Sequence, residues 1–266
     1  MKKLIVLMLI VVMLGLLGGG FCLTAQEAEN KENKVGEKGK DEVSELKSAA
    51  LDALLMMKDE DAIPILEKIL DNKDNPQLRK KALFILNEKD KQKALPILKR
   101  LAQEDPDPEV REQAVFWLGQ NPGEESITIL LDIYDKVNDA GLKEKIIFAF
   151  SQHKSDKAFE KLKAIALNEK DVELCSKAIF WLGQTGKKEA LDILKKVIED
   201  DGADIEIQKK AVFALSQFEG AETIDILIAI AKNHKNMELR KQGIFWLGES
   251  KDPKALKALE EILNEK

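Results

Sequence analysis

From residue 42 onward the apolar positions recur at helical spacing, in two amphipathic stretches of about 13 residues separated by polar turns. The string AVFWLGQ, which ends at Gln120, returns in altered form as KALFILNE, KIIFAFSQ, KAIFWLGQ, KAVFALSQ and QGIFWLGE. Its phenylalanines are Phe84, Phe116, Phe148, Phe180, Phe213 and Phe245, spaced by 32, 32, 32, 33 and 32 residues. A leucine column keeps the same interval at Leu66, Leu98, Leu130, Leu162, Leu194, Leu227 and Leu259. A fixed period of this length with two helical stretches in it specifies a stacked helix-turn-helix unit, because a single pair cannot bury its own apolar face.

The turn chemistry agrees. Asn75-Pro76 and Asp107-Pro108 stand where helices should begin, since proline at a first helical position loses no hydrogen bond. Pro64 and Pro96 are expected in the first turns of the other helix type. A further copy of the second helix is expected over residues 42–57, and residues 252–266 read as a lone first helix. The prediction is an all-α solenoid of stacked antiparallel helix pairs, about fourteen helices in number, over residues 42–266.

Projecting the second helix at ~100° per residue separates its faces. With the phenylalanine at zero, Val110, Ala114, Trp117 and Leu118 fall on one arc, and the equivalent positions in other repeats are apolar. That arc should face the partner helix. Trp117, Trp181 and Trp246 recur in every second repeat, alternating with Ala149 and Ala214, as if large and small residues were paired along the core. Trp is followed two positions later by Gly119, Gly183 or Gly248, and Ala by Ser151 or Ser216, which suggests duplication of a two-repeat block. The phenylalanines lie roughly 150° from the centre of the apolar arc, among polar neighbours such as Glu109, Glu112 and Gln113. Two arrangements fit them: an exposed row that contacts a partner, or rings tilted into the groove between neighbouring second helices. A polar column, Glu88, Gln120, Gln152, Gln184, Gln217 and Glu249, runs beside the row and would supply amide hydrogen bonds to a bound backbone.

The strings EVREQAVFWLG and ELRKQGIFWLG resemble the second helix of HEAT repeats, above all the short class named for phycobilisome lyases. The resemblance extends over residues 42–266. It implies a right-handed superhelix used as an interaction surface, with second helices on the concave side, and it specifies no partner. Applied to this chain, it makes Phe84, Phe116, Phe148, Phe180, Phe213, Phe245, Gln120, Gln152, Gln184 and Gln217 the candidate partner-binding residues. The column that resembles the family arginine reads Arg79, Arg111, Lys143, Cys175, Gln208 and Arg240, which argues against a continuous Asp-Arg ladder.

Composition narrows the function. The 266 residues carry a formal net charge of −6, and loss of an N-terminal segment with Lys2 and Lys3 makes the balance more acidic. Nucleic acid is a poor partner for such a surface, since phosphate binding needs clustered basic residues. Two cysteines and two histidines, widely separated, match no metal-ligand spacing. His153 and His234 are expected at helix ends, where the helix dipole favours a partly charged ring. Cys175 stands in a column of Arg, Lys and Gln, so partial exposure is expected. No metal, no cofactor and no catalytic residue is expected, and the chain reads as a non-enzyme that binds a protein or peptide. The phycobilisome-lyase resemblance leaves bilin attachment as a rival activity, and a membrane-tethered spacer is another.

Met1-Lys2-Lys3 followed by an apolar or small run over residues 4–23 has the form of an export signal. Cleavage after Ala25, lipidation at Cys22 and retention as an anchor all remain open, with any membrane contact confined to this segment. Residues 26–41 are Glu, Lys, Asn and Gly with few apolar residues, the composition of a flexible tether. The expected location is the periplasm or cell envelope.

Overall fold

The computed structural model describes the backbone of residues 30–264 and the side chains of residues 43–264. The export segment expected at residues 1–25 lies outside the described residues. Fourteen helices and no strand are present among the described residues. In chain order they are α1 (Asn30–Met56), α2 (Asp59–Asp71), α3 (Pro76–Lys89), α4 (Lys91–Glu104), α5 (Pro108–Gln120), α6 (Glu124–Lys136) and α7 (Ala140–Gln152). There follow α8 (Asp156–Asn168), α9 (Val172–Gln184), α10 (Lys188–Glu199), α11 (Ile205–Ser216), α12 (Ala221–Asn233), α13 (Met237–Ser250) and α14 (Pro253–Asn264).

The chain divides into two units, residues 1–47 and residues 48–266, each taken by itself. In the first, α1 already begins at Asn30 and so takes in residues 30–41, which composition assigns to a tether. Lys and Glu, which dominate that stretch, are also strong helix formers. No described helix is long and apolar enough to cross a membrane.

In the second unit, even-numbered helices from α2 to α14 are first helices of the repeat and odd-numbered helices are second helices. Each second helix from α3 to α13 packs on the first helix of its own repeat, and second helices also pack directly on one another along the array. Asn75, Asp90, Asp107, Asp139, Ser155, Asp171, Asp204 and Asn236 accept from backbone N–H groups at helix starts, the caps that the turn residues predict. Pro76 and Pro108 open α3 and α5 as expected. Pro64 and Pro96 do not sit in a first turn: α2 and α4 begin five residues earlier. Both prolines are exposed, so the carbonyls they leave without an intrahelical partner belong to the solvent side.

The core is one continuous cluster. The leucine column supplies its spine, with Leu66, Leu98, Leu130, Leu162, Leu194 and Leu227 all buried. Second helices contribute Val110, Ala114, Leu118 and their equivalents, the arc that the helical projection assigns to packing.

The column aligned with the family arginine is interior, contrary to the exposure expected at Cys175. The C-terminal carbonyls of the first helices need hydrogen bonds there, and residues of differing chemistry supply them, except that Lys143 lies over the Tyr134 ring instead. Arg79 is fully buried; it donates to Asn72 O at 3.0 Å and pairs with the Asp105 carboxylate at 2.9 Å. Arg111 donates to Asp105 O and reaches Asp139 at 3.3 Å. Gln208 donates to Ile198 O and Asp200 O, and Arg240 to Ala231 O. The Cys175 thiol lies 3.4 Å from Ala166 O, and burial pushes its pKa up to about 11. The Asp-Arg ladder therefore has two rungs, at Arg79 and Arg111.

Candidate functional site

None of the six phenylalanines of the repeat column is buried. Phe84 and Phe116 are each 39% exposed and Phe245 is 57% exposed, while Phe148, Phe180 and Phe213 are half-buried. Neither of the two sequence-level arrangements holds alone, because the rings are in the groove and at the surface together. Each ring at 0° on its own helix reaches the tryptophan of the following second helix where there is one. Centroid distances are 5.5 Å for Phe84–Trp117, 4.9 Å for Phe148–Trp181 and 5.6 Å for Phe213–Trp246. Phe116, Phe180 and Phe245 lie against the tryptophan of their own helix at 5.0, 5.0 and 4.9 Å. Phe180 and Phe213 stack at 6.4 Å. One aromatic run therefore crosses α7, α9, α11 and α13, and a shorter one joins α3 to α5.

The tryptophans are not pure core residues, as the projection has them. Trp117, Trp181 and Trp246 are half-buried, with one side on the apolar core and the other on the phenylalanines. The alternation with alanine has a packing cause. A Cβ placed on Gly119 would stand 2.7 Å from Ala149 Cβ, and one on Gly183 would stand 2.9 Å from Ala214 Cβ. Small faces small at α5–α7 and α9–α11, so those helices approach closely. Phe faces Trp at α3–α5, α7–α9 and α11–α13. This corrects the expectation that large residues are paired with small ones.

Gln120, Gln152, Gln184 and Gln217 are all exposed beside the aromatic row, each at or next to the C-terminal end of its second helix. Gln152 and Gln217 donate to Ser151 and Ser216 at 3.0 and 3.2 Å. The side chains of Gln120 and Gln184, which follow the glycines, make no hydrogen bond among the described residues. On the N-terminal side of the row, lysines tie successive second helices together. Lys81 reaches both Ser48 and Asp52 at 2.6 Å, Lys145 reaches Glu112 at 3.3 Å, and Lys177 reaches Glu144 at 2.7 Å. The Glu144 hydrogen bond raises the Lys177 pKa, with Glu173 adding to it. Such exposed pairs contribute little stability each, about 0–1 kcal/mol, but they fix the charge pattern along the face.

The histidines close helices α7 and α12 as capping residues. In both, the ring Nδ1 accepts a backbone N–H two residues on, from Ser155 and from Asn236. That hydrogen bond fixes the turn into the following helix. Among the described residues no group of three or more His, Cys, Asp or Glu side chains is placed to hold a metal ion.

Comparison with protein families matches the chain to HEAT repeats over residues 66–151, 159–233 and 201–266, and to the PBS lyase HEAT-like repeat over residues 46–72. Comparison with curated proteins gives no match. Among solved structures, human deoxyhypusine hydroxylase in complex with glycerol is similar at 19% identity, with 77% of this chain and 79% of that chain covered and a TM-score of 0.38.

Proposed function

The chain belongs to the HEAT-repeat family, and from that premise we propose that it is an exported, non-catalytic scaffold that holds a protein or peptide along its second-helix face. The observation that carries this reading is the aromatic row. Six phenylalanines at one position of the repeat stay partly open to solvent, although the preceding position is buried in five of the six repeats, at Leu83, Val115, Ile147, Ile179 and Val212. A contiguous exposed aromatic stripe is unfavourable unless something covers it.

The partner's apolar side chains would cover the rings, which the tryptophans behind them hold in place. Gln120 and Gln184, with both amide donors and the carbonyl uncommitted, would bond the partner's backbone. The lysine-glutamate pairs beside the row would select register by charge. Neighbouring second helices are about 8–10 Å apart, whereas an extended strand advances roughly 6.6 Å per two residues. A bound strand therefore cannot place every second side chain on a phenylalanine, so contact is to a subset of the row. The Lys2-Lys3 start and the apolar run behind it support export, with the periplasm or envelope as the place of work.

The test is capture from the envelope fraction with wild-type, Phe148→Ser and Phe180→Ser baits, each checked for an intact helical fold by circular dichroism. A partner held by wild type and lost from folded variants is the expected result. Equal capture by all three, or no captured species, would overturn the proposal.

A further inference from the structure

A cleft of about 410 Å³ opens where the end of α11, the start of α12 and the end of α13 meet. Its apolar wall is Ile224, Leu227 and the Trp246 ring, and its rim carries the carboxylates of Glu249 and Asp252. Trp246 belongs to the aromatic row and Glu249 to the polar column beside it, so the cleft is continuous with the proposed binding face.

Thr223 marks this cleft as more than a packing defect. It occupies a first-helix position that is alanine at Ala62, Ala94, Ala158, Ala190 and Ala255, all buried. The other exception is Ser126, whose hydroxyl donates to Leu118 O. The equivalent acceptor for Thr223 would be Leu215 O, but the Thr223 hydroxyl does not bond to it. Thr223 is 2% exposed, and its Oγ1 has no hydrogen-bond partner. The Trp246 Nε1–H on the same wall is also buried and unpartnered. A buried polar atom left without a partner is destabilising, and alanine serves in five other repeats. A hydroxyl at this one position calls for a polar atom supplied from outside the chain.

The charge of the cleft specifies that atom. No Lys, Arg or His lines it, and the carboxylates of Glu249 and Asp252 stand at its rim. Glu249 makes no ion pair among the described residues. We propose that the cleft is a subsite for an arginine side chain of the bound segment. The aliphatic stem would lie against Ile224 and Leu227, the planar guanidinium would stack on Trp246 and donate to Thr223 Oγ1 and Glu249, and a backbone carbonyl next to the arginine would accept from Trp246 Nε1–H. This rests on the scaffold reading for its biological setting, and the subsite itself is testable without the natural partner.

The chain has three tryptophans, so its ¹⁵N–¹H spectrum contains three indole signals, and Trp246→Phe identifies one. N-acetyl-arginine amide, titrated into the full chain, is expected to shift the Trp246 indole and leave that of Trp117 in place. Thr223→Ala and Glu249→Gln should each weaken that response about fivefold or more, the range of a charge-assisted hydrogen bond. Leu167→Ser, on the exposed side of α8, should leave it unchanged. The Ala substitution restores the residue found in five other repeats, so loss of folding does not confound the result. No shift of Trp246, an equal shift with N-acetyl-citrulline amide, or an undiminished shift in Thr223→Ala and Glu249→Gln would overturn the subsite. If the arginine probe behaves as expected but the phenylalanine variants still capture the envelope partner, the subsite stands and the aromatic-row reading fails.

Discussion

Two kinds of joint between second helices alternate along the array. At α5–α7 and α9–α11 a glycine meets an alanine and backbone approaches backbone, with Ala149 Cα already 3.0 Å from where a Gly119 Cβ would stand. At α3–α5, α7–α9 and α11–α13 a phenylalanine meets a tryptophan and the gap is filled by rings that stay partly exposed. The first joint has no slack at its backbone contact, although at α9–α11 the half-buried Phe180 and Phe213 also stack across it. The second keeps an aromatic surface open at the cost of looser packing. Stability and recognition are thus separated within one repeat period, and substitutions at the two joints should have opposite signatures.

The largest effect is expected at the tight joint. Gly119→Val or Gly183→Val forces a branched side chain against helix backbone and should destabilise by about 1–3 kcal/mol, measured by chemical denaturation. Gly123→Ala, with open space around its Cβ, is the control and should change little. If Gly119→Val matches the control, the joint is not tight.

A smaller loss is expected at the aromatic joint. Phe148→Ser removes the contact with Trp181 across α7–α9 from a half-buried ring, at a cost of about 1 kcal/mol, well short of the roughly 3–5 kcal/mol of a fully buried phenylalanine. A loss in the upper range would mean that the ring is core.

Cys175 separates the two joints on one helix, because α9 makes the aromatic contact with α7 and the glycine contact with α11. With Cys22 replaced by Ser, Cys175 is the sole thiol, and its burial should make it nearly inert to a thiol reagent in the folded protein. Gly183→Val should speed labelling about fivefold or more, as expected for 1 kcal/mol or more of easier opening. Phe245→Ser, two joints away, should leave the rate close to wild type. Fast labelling of the unmodified helix would contradict the buried placement.

The smallest effect is electrostatic and belongs to the α5–α7 joint. The Leu142 N–H, with help from Arg111, holds the Asp139 carboxyl below the ordinary carboxylate range. A depressed folded-state pKa contributes stability that is present above the unfolded value, near pH 4, and lost as pH falls through the folded value. Asp139→Asn should therefore lower stability slightly at neutral pH and flatten the acid limb of the profile, so that variant and wild type converge as pH falls below about 4. An unchanged acid limb would remove Asp139 from the account.

The fold was legible because period, leucine column and caps each encode it independently. Much of the face was legible too: the phenylalanine and glutamine columns do share one side. A helical projection gives direction but not reach, so it could not show that Phe148 touches Trp181 on the next helix. It also misplaced Cys175, since Arg and Gln in that column look solvated when in fact they bond carbonyls at first-helix ends. Thr223 was invisible as a site because the lack of a partner for its buried hydroxyl is a fact of geometry. The signal that could have pointed to it was its column, where alanine is the rule.

The most direct test of the central claim is hydroxyl-radical footprinting of the captured complex against the free chain. The account predicts protection of Phe84, Phe116, Phe148, Phe180, Phe213 and Phe245, or a contiguous subset of them, with exposed first-helix residues such as Leu167 and Leu256 unchanged. Protection confined to the first-helix side, with the phenylalanines as reactive in the complex as in the free chain, would contradict it.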